Sequence, residues 1–325
     1  MAKKILVTGG AGYIGSVCVE RLLDLGCEVA VFDNLSEGHR CAVDERAVFF
    51  EGDLTNRGTL EKTFAAFKPE AVMHFAAHAL VGESMQNPSK YFLGNVANGV
   101  NLLDACVAAG IGKFVFSSTC ATFGVPERVP LDETLPQSPI NPYGESKLMF
   151  EKVLRWYEDI HGLQSVALRY FNAAGATEKH GEDHRIETHL IPNTLKVALS
   201  KKDHVEIYGT DYETPDGTCI RDYIHIVDLA QAHILALDFE GSGRFNLGTG
   251  GGTSVREVLE TCREITGHPI PAIEKPRRPG DPPRLVAAST LAQEKLGWKP
   301  QLQNIHDIVA SAWAWHRKFP DGYGD

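Results

Sequence analysis

Short apolar runs alternate with longer amphipathic segments through the first 170 residues of the chain. The apolar runs, rich in Val, Ile and Phe, predict strands at Lys4–Val7, Glu28–Phe32, Val48–Phe50, Ala71–Phe75, Lys113–Phe116 and Val166–Tyr170. The amphipathic segments predict helices at Tyr13–Leu25, Arg57–Phe67, Pro88–Ala109 and Tyr143–Ile160. Strands that are apolar without alternation are typical of a parallel sheet covered on both faces. The pattern therefore predicts a doubly wound α/β sheet.

The regular alternation ends after residue 172. Beyond it the sequence predicts a loop at Ala173–His184, a helix at Thr188–Ser200, strands at Val205–Tyr208 and Arg244–Leu247, a helix that opens at the capping box Ser254–Glu257, and an irregular loop at Lys275–Pro283. We therefore expect residues 1–172 to form the sheet domain. Residues 173–325 form mainly a smaller mixed α/β lobe for substrate, with some strands and helices returning to the sheet.

The composition is that of an ordinary globular protein, with 325 residues, 43% hydrophobic and 23% charged. A formal net charge of −10 argues against binding to nucleic acid or to an anionic membrane surface. No apolar run approaches the roughly 18 residues of a membrane span, and the run after Lys4 is too short for a signal peptide. The seven scattered cysteines include no C-x-x-C pair, which favours reduced thiols in a cytoplasm.

A glycine-rich loop, Thr8–Gly15, follows the first predicted strand and precedes the first predicted helix. Its Gly9, Gly12 and Gly15 have the spacing that lets backbone approach a pyrophosphate at a helix N-terminus. Asp33 ends the second strand 18 positions later, where a carboxylate binds a ribose 2′-hydroxyl and repels a 2′-phosphate. The sequence thus predicts a Rossmann-type sheet that binds NAD rather than NADP.

Tyr143 and Lys147 lie four residues apart at the start of a predicted helix, so both side chains project from one face. An ammonium near a phenol favours the phenolate and lowers its pKa. A tyrosine tuned in this way can exchange a proton with an alcohol while hydride moves to a nicotinamide. The lysine can also hold the hydroxyls of the nicotinamide ribose. Together with the upstream dinucleotide loop, the pair predicts NAD-linked proton transfer.

Each of two further features has two possible interpretations. The hydroxyl cluster Ser117–Thr122 follows a strand end and can donate hydrogen bonds to substrate, but each hydroxyl can also cap a turn. Asp53, after the third strand, can approach the adenine edge or cap the following helix.

Several motifs together resemble the extended short-chain dehydrogenase/reductase family, and within it the 4-epimerases of UDP-sugars. They are Thr8–Gly15, His74–Ala77, Ser117–Thr119, Tyr143–Lys147, Arg169–Asn172, Gly209–Thr218 and Arg221–His225. The resemblance extends over nearly the whole chain. It implies NAD that stays bound through turnover, and interconversion of UDP-glucose and UDP-galactose by transient oxidation at C4 of the sugar. It also implies a homodimer formed by the helices at Pro88–Ala109 and Tyr143–Ile160.

The resemblance also assigns residues to roles. It implies Tyr143 as the acid/base, Lys147 as the group that tunes it, and Thr119 as the group that orients the C4 oxygen. The cofactor contacts it implies are Gly9, Gly12, Tyr13, Ile14, Gly15, Asp33, Asn34, Asp53, Leu54, Phe75, Ala76, Ala77, Asn95, Ser117, Ser118, Tyr143, Lys147, Tyr170 and Phe171. The substrate contacts it implies are Thr119, Asn172, Leu190, Tyr208, Arg221, Arg278 and Asp281. The two arginines suit a diphosphate, because guanidinium groups match its oxygens.

Three positions depart from the pattern of the family. Ala79 stands where many relatives have lysine, Gly94 stands where many have asparagine, and Leu285 stands where some have tyrosine or a small residue. A leucine near the sugar changes the volume of the pocket. It leaves open whether the substrate is a hexose, an N-acetylhexosamine or a pentose.

Three rival interpretations remain for these motifs. A sugar-nucleotide dehydratase or decarboxylase of this family carries an acid after the threonine, whereas here Cys120 and Ala121 follow Thr119. A non-catalytic NAD sensor often loses the tyrosine–lysine pair, which is intact in this chain. The segment His180–His189 has histidine spacings that suit zinc, but Gly181 and the surrounding charges favour a solvated loop, so no metal is expected.

Overall fold

The structure, a computed structural model, describes residues 3–278 and 281–324. Its strands are β1 (Lys4–Thr8), β2 (Glu28–Asp33), β3 (Val48–Glu51), β4 (Ala71–His74), β5 (Lys113–Thr119), β6 (Gln164–Tyr170), β7 (Asn172–Ala174), β8 (Val205–Tyr208), β9 (Ile220–Arg221), β10 (Tyr223–His225), β11 (Gly243–Leu247), β12 (Thr253–Ser254), β13 (Ala272–Lys275) and β14 (Arg284–Leu285). Its α-helices are α1 (Tyr13–Asp24), α2 (Arg57–Phe67), α3 (Val81–Gln86), α4 (Pro88–Tyr91), α5 (Asn98–Ala108), α6 (Pro142–His161), α7 (Leu190–Ala198), α8 (Ile226–Asp238), α9 (Val255–Thr266), α10 (Thr290–Leu296) and α11 (Ile305–Lys318).

The central sheet has seven strands in the order β3-β2-β1-β4-β5-β6-β11, and every neighbouring pair is parallel. In register, Val7 of β1 pairs with Val31 of β2 on one side and with Met73 of β4 on the other. The chain leaves β1 in one direction for β2 and β3, and in the other for β4 to β6. Ligands of such sheets bind beyond the carboxyl ends of the strands, at the point where the order reverses.

Both faces of this sheet are covered by helices. Ile5 and Val7 point into one core with residues of α1 and α8, whereas Leu6 points into the opposite core with residues of α2, α5 and α6. Residues on both faces of a strand are apolar because both faces are buried. The predicted doubly wound sheet is confirmed.

Residues after 172 contribute to both parts of the molecule. β11 joins the central sheet beside β6, and α8 packs on α1. Trp298 is buried in the same core as Val7, and its indole N–H donates to the carbonyl of Asp228. A third core, formed largely by α7, α9, α11 and the β8–β13 pair, holds the smaller lobe together. The division of the chain at residue 172 stays a prediction.

Local differences from the predicted elements are few. The helix predicted at Pro88–Ala109 consists of α4, a π-helical turn at Phe92–Ala97, and α5. The capping box is confirmed, because the backbone N–H of Ser254 donates to the Glu257 carboxylate and that of Glu257 donates to the Ser254 hydroxyl. In the segment predicted as a loop at Lys275–Pro283, Lys275 ends β13, and residues 279 and 280 lie outside the described residues. Among the described residues, no helix is long and apolar enough to cross a membrane.

Candidate active site

A cleft of about 1880 Å³ lies beyond the carboxyl ends of the central strands, between the sheet and the smaller lobe. Pockets for a single small ligand are usually about 300–1,000 Å³, so this cleft has room for two nucleotides. The cleft extends from the glycine-rich loop, past Tyr143, to Arg221 and Arg278 at its far end. It therefore connects the predicted cofactor site with the predicted substrate site.

The glycine-rich loop forms the floor of the cleft at the start of α1. Gly9 has φ +74°, and a Cβ there would overlap the backbone of Ala76, whose N–H donates to the carbonyl of Thr8. A Cβ on Gly15 would lie 2.9 Å from the Cα of Gly10. Gly12 precedes α1 without any side-chain cap, so the helix N-terminus presents bare backbone to the cleft. This close-packed turn fits the pyrophosphate of a dinucleotide.

Asp33 connects the end of β2 to the glycine-rich loop. Its buried carboxylate accepts hydrogen bonds from the backbone N–H groups of Ala11 at 3.0 Å and Leu35 at 2.8 Å. Burial raises the pKa of Asp33, and these two hydrogen bonds oppose that shift. The carboxylate thus stands beside the loop where a ribose hydroxyl is expected.

The alternative that Asp53 caps α2 is wrong. The side chain of Asn56 caps this helix by accepting from the backbone N–H of Thr59, whereas Asp53 accepts from both the backbone N–H and the hydroxyl of Thr55. Asn34 donates to the other Asp53 oxygen at 2.6 Å. Asn34 and Asp53, the two side chains that we expect near the adenosine, are therefore held in position by a hydrogen bond to each other.

The hydroxyl cluster is divided by the alternation of strand β5. Thr119 and Ser117 line the cleft, and the Ser117 hydroxyl hydrogen-bonds to that of Tyr170. Ser118 points to the opposite face of the sheet, where its hydroxyl donates to Glu151 at 2.5 Å, and Glu151 forms a buried ion pair with Arg169. Side chains alternate between faces along a strand, so only every second hydroxyl reaches the cleft. The Ser118 side chain therefore does not face the cleft, and its predicted contact with the cofactor stays a prediction.

The tyrosine and the lysine both enter the cleft from the first turns of α6. The helix begins at Pro142 because Asn141 caps it: the Asn141 side chain accepts a hydrogen bond from the backbone N–H of Gly144 at 2.8 Å. A Cβ on Gly144 would lie 2.5 Å from the carbonyl oxygen of Ala121, so glycine allows the helix to approach the turn after β5. The ammonium of Lys147 donates to the carbonyl of Ser117 at 2.9 Å.

Burial dominates the titration of this pair. It raises the pKa of the Tyr143 phenol to about 12, while the neighbouring Thr119 hydroxyl lowers it. Burial lowers the pKa of Lys147 to about 7, and the negative charge of Glu151 opposes that shift. The expected lowering of the Tyr143 pKa by Lys147 is not present in this structure, in which the lysine ammonium donates to the Ser117 carbonyl.

The far end of the cleft contains the predicted substrate residues. The guanidinium group of Arg278 stacks 3.9 Å above the ring of Tyr208, and Arg221 forms an ion pair with Asp281. The amide of Asn172 donates to the carbonyl of Asp222. The Asp222 carboxylate accepts hydrogen bonds from three backbone N–H groups, those of Thr249, Gly250 and Ala287. This end offers cations and aromatic surface together, which suits a nucleoside diphosphate.

Most of the predicted residues meet in this cleft. Those that line it are Gly9, Gly12, Tyr13, Ile14, Gly15, Phe75, Ala77, Ser117, Thr119, Tyr143, Lys147, Tyr170, Phe171, Asn172, Leu190, Tyr208, Arg221, Arg278 and Asp281. Those that do not line it are Asp33, Asn34, Asp53, Leu54, Ala76, Asn95 and Ser118. Asn95 is buried, and its amide is engaged with both backbone groups of His78 and with the Ser146 hydroxyl, so it supports the wall of the cleft instead.

The departures from the family pattern fit one another sterically. A Cβ on Gly94 would lie 2.6 Å from the imidazole of His78, so the small residue makes room for the large one. Ala79 follows and lines the cleft beside it. Leu285 and Phe171 also line the cleft, and both pack against the cluster formed by Phe123, Leu131 and Leu135.

The segment from His180 to His189 is a loop, as predicted, but its charges are only partly solvated: Arg185 and His189 are exposed, whereas other ionisable side chains are buried. His180 is 4% exposed and Glu182 is 7% exposed. The loop contacts the glycine-rich segment, because the ring of His184 lies edge-on to Tyr13 with centroids 6.3 Å apart. Several of its residues line the cleft although the sequence motifs do not predict them there. The signal available in the sequence was the spacing of its histidines and glutamates.

Comparison with known proteins gives one family. Residues 5–248 match the NAD dependent epimerase/dehydratase family. The chain is 50% identical over 327 residues to a UDP-glucose 4-epimerase of Lacticaseibacillus casei, with 99% of each chain covered. A crystal structure of a UDP-glucose 4-epimerase superposes with a TM-score of 0.97 at 49% identity and 99% coverage of both chains. The Bifidobacterium longum UDP-glucose 4-epimerase in complex with NAD⁺ and UDP superposes with 0.94 at 38% identity, covering 98% of this chain and 100% of that one.

Proposed function

The chain belongs to the NAD dependent epimerase/dehydratase family, and we propose that this NAD-dependent enzyme interconverts UDP-glucose and UDP-galactose. The observation that carries the proposal is the continuous cleft. A dinucleotide loop, a tyrosine–lysine pair and a cation-rich end all line this cleft, so one NAD and one UDP-sugar can bind in it together. The relatives named UDP-glucose 4-epimerase support the same reaction.

In the proposed reaction, Tyr143 takes the proton of the C4 hydroxyl as the C4 hydrogen leaves as hydride. NAD, held by the glycine-rich loop and Asp33, would supply the hydride acceptor in the first half of the cycle and the hydride donor, toward the opposite face of the 4-keto sugar, in the second. Tyr143 then gives the proton back, so atoms and electrons balance over the cycle. Thr119, at the end of β5 beside Tyr143, orients the C4 oxygen.

Lys147 supplies positive charge on the same face of α6, one turn from Tyr143. A phenol with a pKa of about 12 keeps its proton at neutral pH, so a nearby ammonium is needed to favour the phenolate. We also assign to Lys147 the hydroxyls of the nicotinamide ribose, which would compete with the Ser117 carbonyl for its three N–H donors.

The turn after Thr119 favours epimerisation over elimination. Cys120 and Ala121 occupy the positions where a dehydratase of this family carries acids, and burial raises the pKa of the Cys120 thiol to about 12. A thiol with that pKa stays neutral at physiological pH and is a poor proton donor or acceptor there. Tyr143 therefore works without a second acid or base at this turn, which suits oxidation and reduction at one carbon.

The substrate contacts are proposed for the opposite end of the cleft. Arg221 and Arg278 bind the diphosphate, and Tyr208 and Leu190 lie beside the nucleoside. The sugar then extends toward Tyr143 past Leu285. We propose a hexose as the preferred sugar, because the relatives at about 50% identity are UDP-glucose 4-epimerases.

One incubation tests this function. Purified protein, with no nucleotide cofactor added, is expected to equilibrate UDP-galactose with UDP-glucose, followed by NMR of the sugar protons. UDP-N-acetylgalactosamine and UDP-arabinose in parallel tubes measure the preference for hexose. Net formation of a 4-keto-6-deoxy sugar would replace the proposal with dehydration. Retention of NAD with no turnover of any UDP-sugar would replace it with a sensor.

We further propose that two copies of the chain pair through α6 and the turn before α5. Trp156 and Ile160 are 64% and 67% exposed, and with Met149 they form an apolar stripe along one face of α6. Leu93, in the adjacent π-helical turn, is 63% exposed. Contiguous apolar surface of this kind is typical of protein–protein contacts.

We also propose a cytoplasmic location. The cysteines among the described residues are all free, as is usual for proteins in a reducing compartment.

A further inference from the structure

Two glutamates and two histidines converge in the loop that precedes α7. Glu182, His184, Glu187 and His189 each place one nitrogen or oxygen in a group whose atoms all lie within 4.8 Å of one another. The Nδ1 atom of His189 is 2.9 Å from both Glu182 Oε1 and Glu187 Oε1. The Nδ1 atom of His184 is 3.4 Å from Glu182 Oε1 and 3.3 Å from Glu187 Oε2.

These separations match the edges of a small coordination polyhedron. In a tetrahedral zinc site with bonds of about 2.0–2.1 Å, neighbouring ligand atoms lie about 3.3 Å apart. The four contacts in this loop range from 2.9 to 3.4 Å, so the atoms are already close to the spacing that one cation requires. Imidazole nitrogen and carboxylate oxygen are both ligands that zinc accepts.

Hydrogen bonding alone accounts poorly for this arrangement. Each Nδ1 carries at most one hydrogen, yet each of these two nitrogens faces two carboxylate oxygens. A cation at the centre of the four groups satisfies every one of them at once. The backbone N–H of His189 also donates to Glu187 at 2.7 Å, which holds that carboxylate toward the group.

Burial strengthens the argument. The side chains of Glu182 and Glu187 are only 7% and 3% exposed, and buried carboxylates require compensating positive charge. The neighbouring Arg185 does not supply it, because its guanidinium donates to the backbone carbonyls of Leu35, Ser36 and Gly38. Two negative charges therefore face the inside of the loop, with two imidazoles as their nearest partners.

We propose that Glu182, His184, Glu187 and His189 bind one divalent transition-metal cation, with Zn²⁺ as the best match to this ligand set. The cation fixes a wall of the cleft rather than taking part in hydride transfer. On one side, His184 packs against Tyr13 of the glycine-rich loop, and the Tyr13 hydroxyl donates to the carbonyl of Gly175 at 2.6 Å. On the other side, α7 begins at Leu190, directly after His189. The cation thereby joins the cofactor side of the cleft to the helix that opens the substrate side.

The test measures metal binding and does not depend on the proposed epimerase activity. Full-length protein with its own NAD is dialysed against a chelator and then titrated with Zn²⁺ by calorimetry. The expected result is one Zn²⁺ per chain, and a Tm raised by a few degrees at saturating metal. The double variant H184Q/H189Q is expected to lose at least ~100-fold in affinity, because half of the ligands are gone.

A matched control and a second measurement keep the outcome decisive. The variant H306Q changes an exposed histidine on α11 and is expected to bind Zn²⁺ like the wild type. Co²⁺ added to the wild-type protein is expected to give the intense visible absorption of a four-coordinate ion, which needs no variant to fold. Wild-type protein that binds no stoichiometric Zn²⁺, or H184Q/H189Q protein that binds it equally well, would overturn the proposal. A weak six-coordinate Co²⁺ spectrum would do the same.

Discussion

Tyr143 is the residue on which the proposed chemistry depends. Its hydroxyl is beside Thr119 in the cleft, and burial raises its pKa to about 12, so the protein must supply charge before the phenol acts as a base. Replacement by phenylalanine removes the proton-transferring oxygen while leaving the ring in place. We expect Y143F to lose at least ~100-fold in turnover of UDP-galactose while keeping its bound NAD.

The control for this variant comes from the same helix. Tyr157 of α6 donates its hydroxyl to Asp104 at 2.6 Å, away from the cleft. Y157F therefore removes one tyrosine hydroxyl without touching the site and is expected to keep most of its activity. Activity and NAD content, measured on the two variants side by side, decide the assignment. Near-normal turnover by Y143F would refute it.

Individual residues show where sequence reasoning reaches its limit. The glycine loop, Thr119 and the Tyr143–Lys147 pair lie together in the cleft because motif spacing reports backbone geometry. The direction of the Ser118 side chain, away from the cleft, is not evident from the sequence, because a run of three hydroxyls hides the alternation of the strand that carries it. The ionisable loop at 182–189 was set aside because sequence alone does not show which charges are buried.

Helix α6 joins the chemistry to the proposed subunit contact. One face delivers Tyr143 and Lys147 to the cleft, and the exposed face carries Trp156 and Ile160. We expect the wild-type protein to sediment at twice its mass of 35.6 kDa, and W156E/I160E to sediment as a monomer, because buried glutamates at such a contact are costly. Analytical ultracentrifugation measures both.

The control replaces an exposed leucine outside α6. Leu25 is 67% exposed just after α1, so L25E adds a similar charge without touching the proposed contact and is expected to leave the dimer intact. A dimer that persists in W156E/I160E would place the contact elsewhere.

The elements of the sheet domain were predicted well, since buried parallel strands and amphipathic helices have distinct periodicities. The π-helical turn at Phe92–Ala97 was not predicted, because it changes the hydrogen bonding of a helix without changing its apolar pattern. The returning strand β11 was predicted as a strand at Arg244–Leu247, but its place beside β6 depends on contacts distant in sequence.

Burial lowers the pKa of several histidines among the described residues, and for three of them the shift is large. Burial lowers the pKa of His74 to about 3 and those of His225 and His233 to about 4. In the unfolded chain these groups take up protons below about pH 6.5, whereas the folded protein does not. Their contribution to stability is therefore fully present above pH 6.5 and is lost as the pH falls toward 4.

The variant H233Q tests this contribution. As the pH falls from 6.5 to 4.5, protonation of each such histidine in the unfolded chain lowers the free energy of unfolding by up to about 2–3 kcal/mol. H233Q is therefore expected to lose about 2 kcal/mol less than the wild type over this range, as measured by urea unfolding at each pH. H306Q, which changes an exposed histidine, is expected to follow the wild type. Identical pH dependences for H233Q and the wild type would contradict the assignment.

In the proposed reaction the C4 hydrogen leaves as hydride, stays in the site and returns to the same carbon. The most direct measurement is epimerisation of UDP-galactose to equilibrium in D₂O, followed by mass spectrometry and NMR of both UDP-sugars. Hydride held by bound NAD does not exchange with solvent, so we expect no deuterium at C4 of either sugar. Deuterium at C4 after equilibration would show proton removal from carbon and would contradict it.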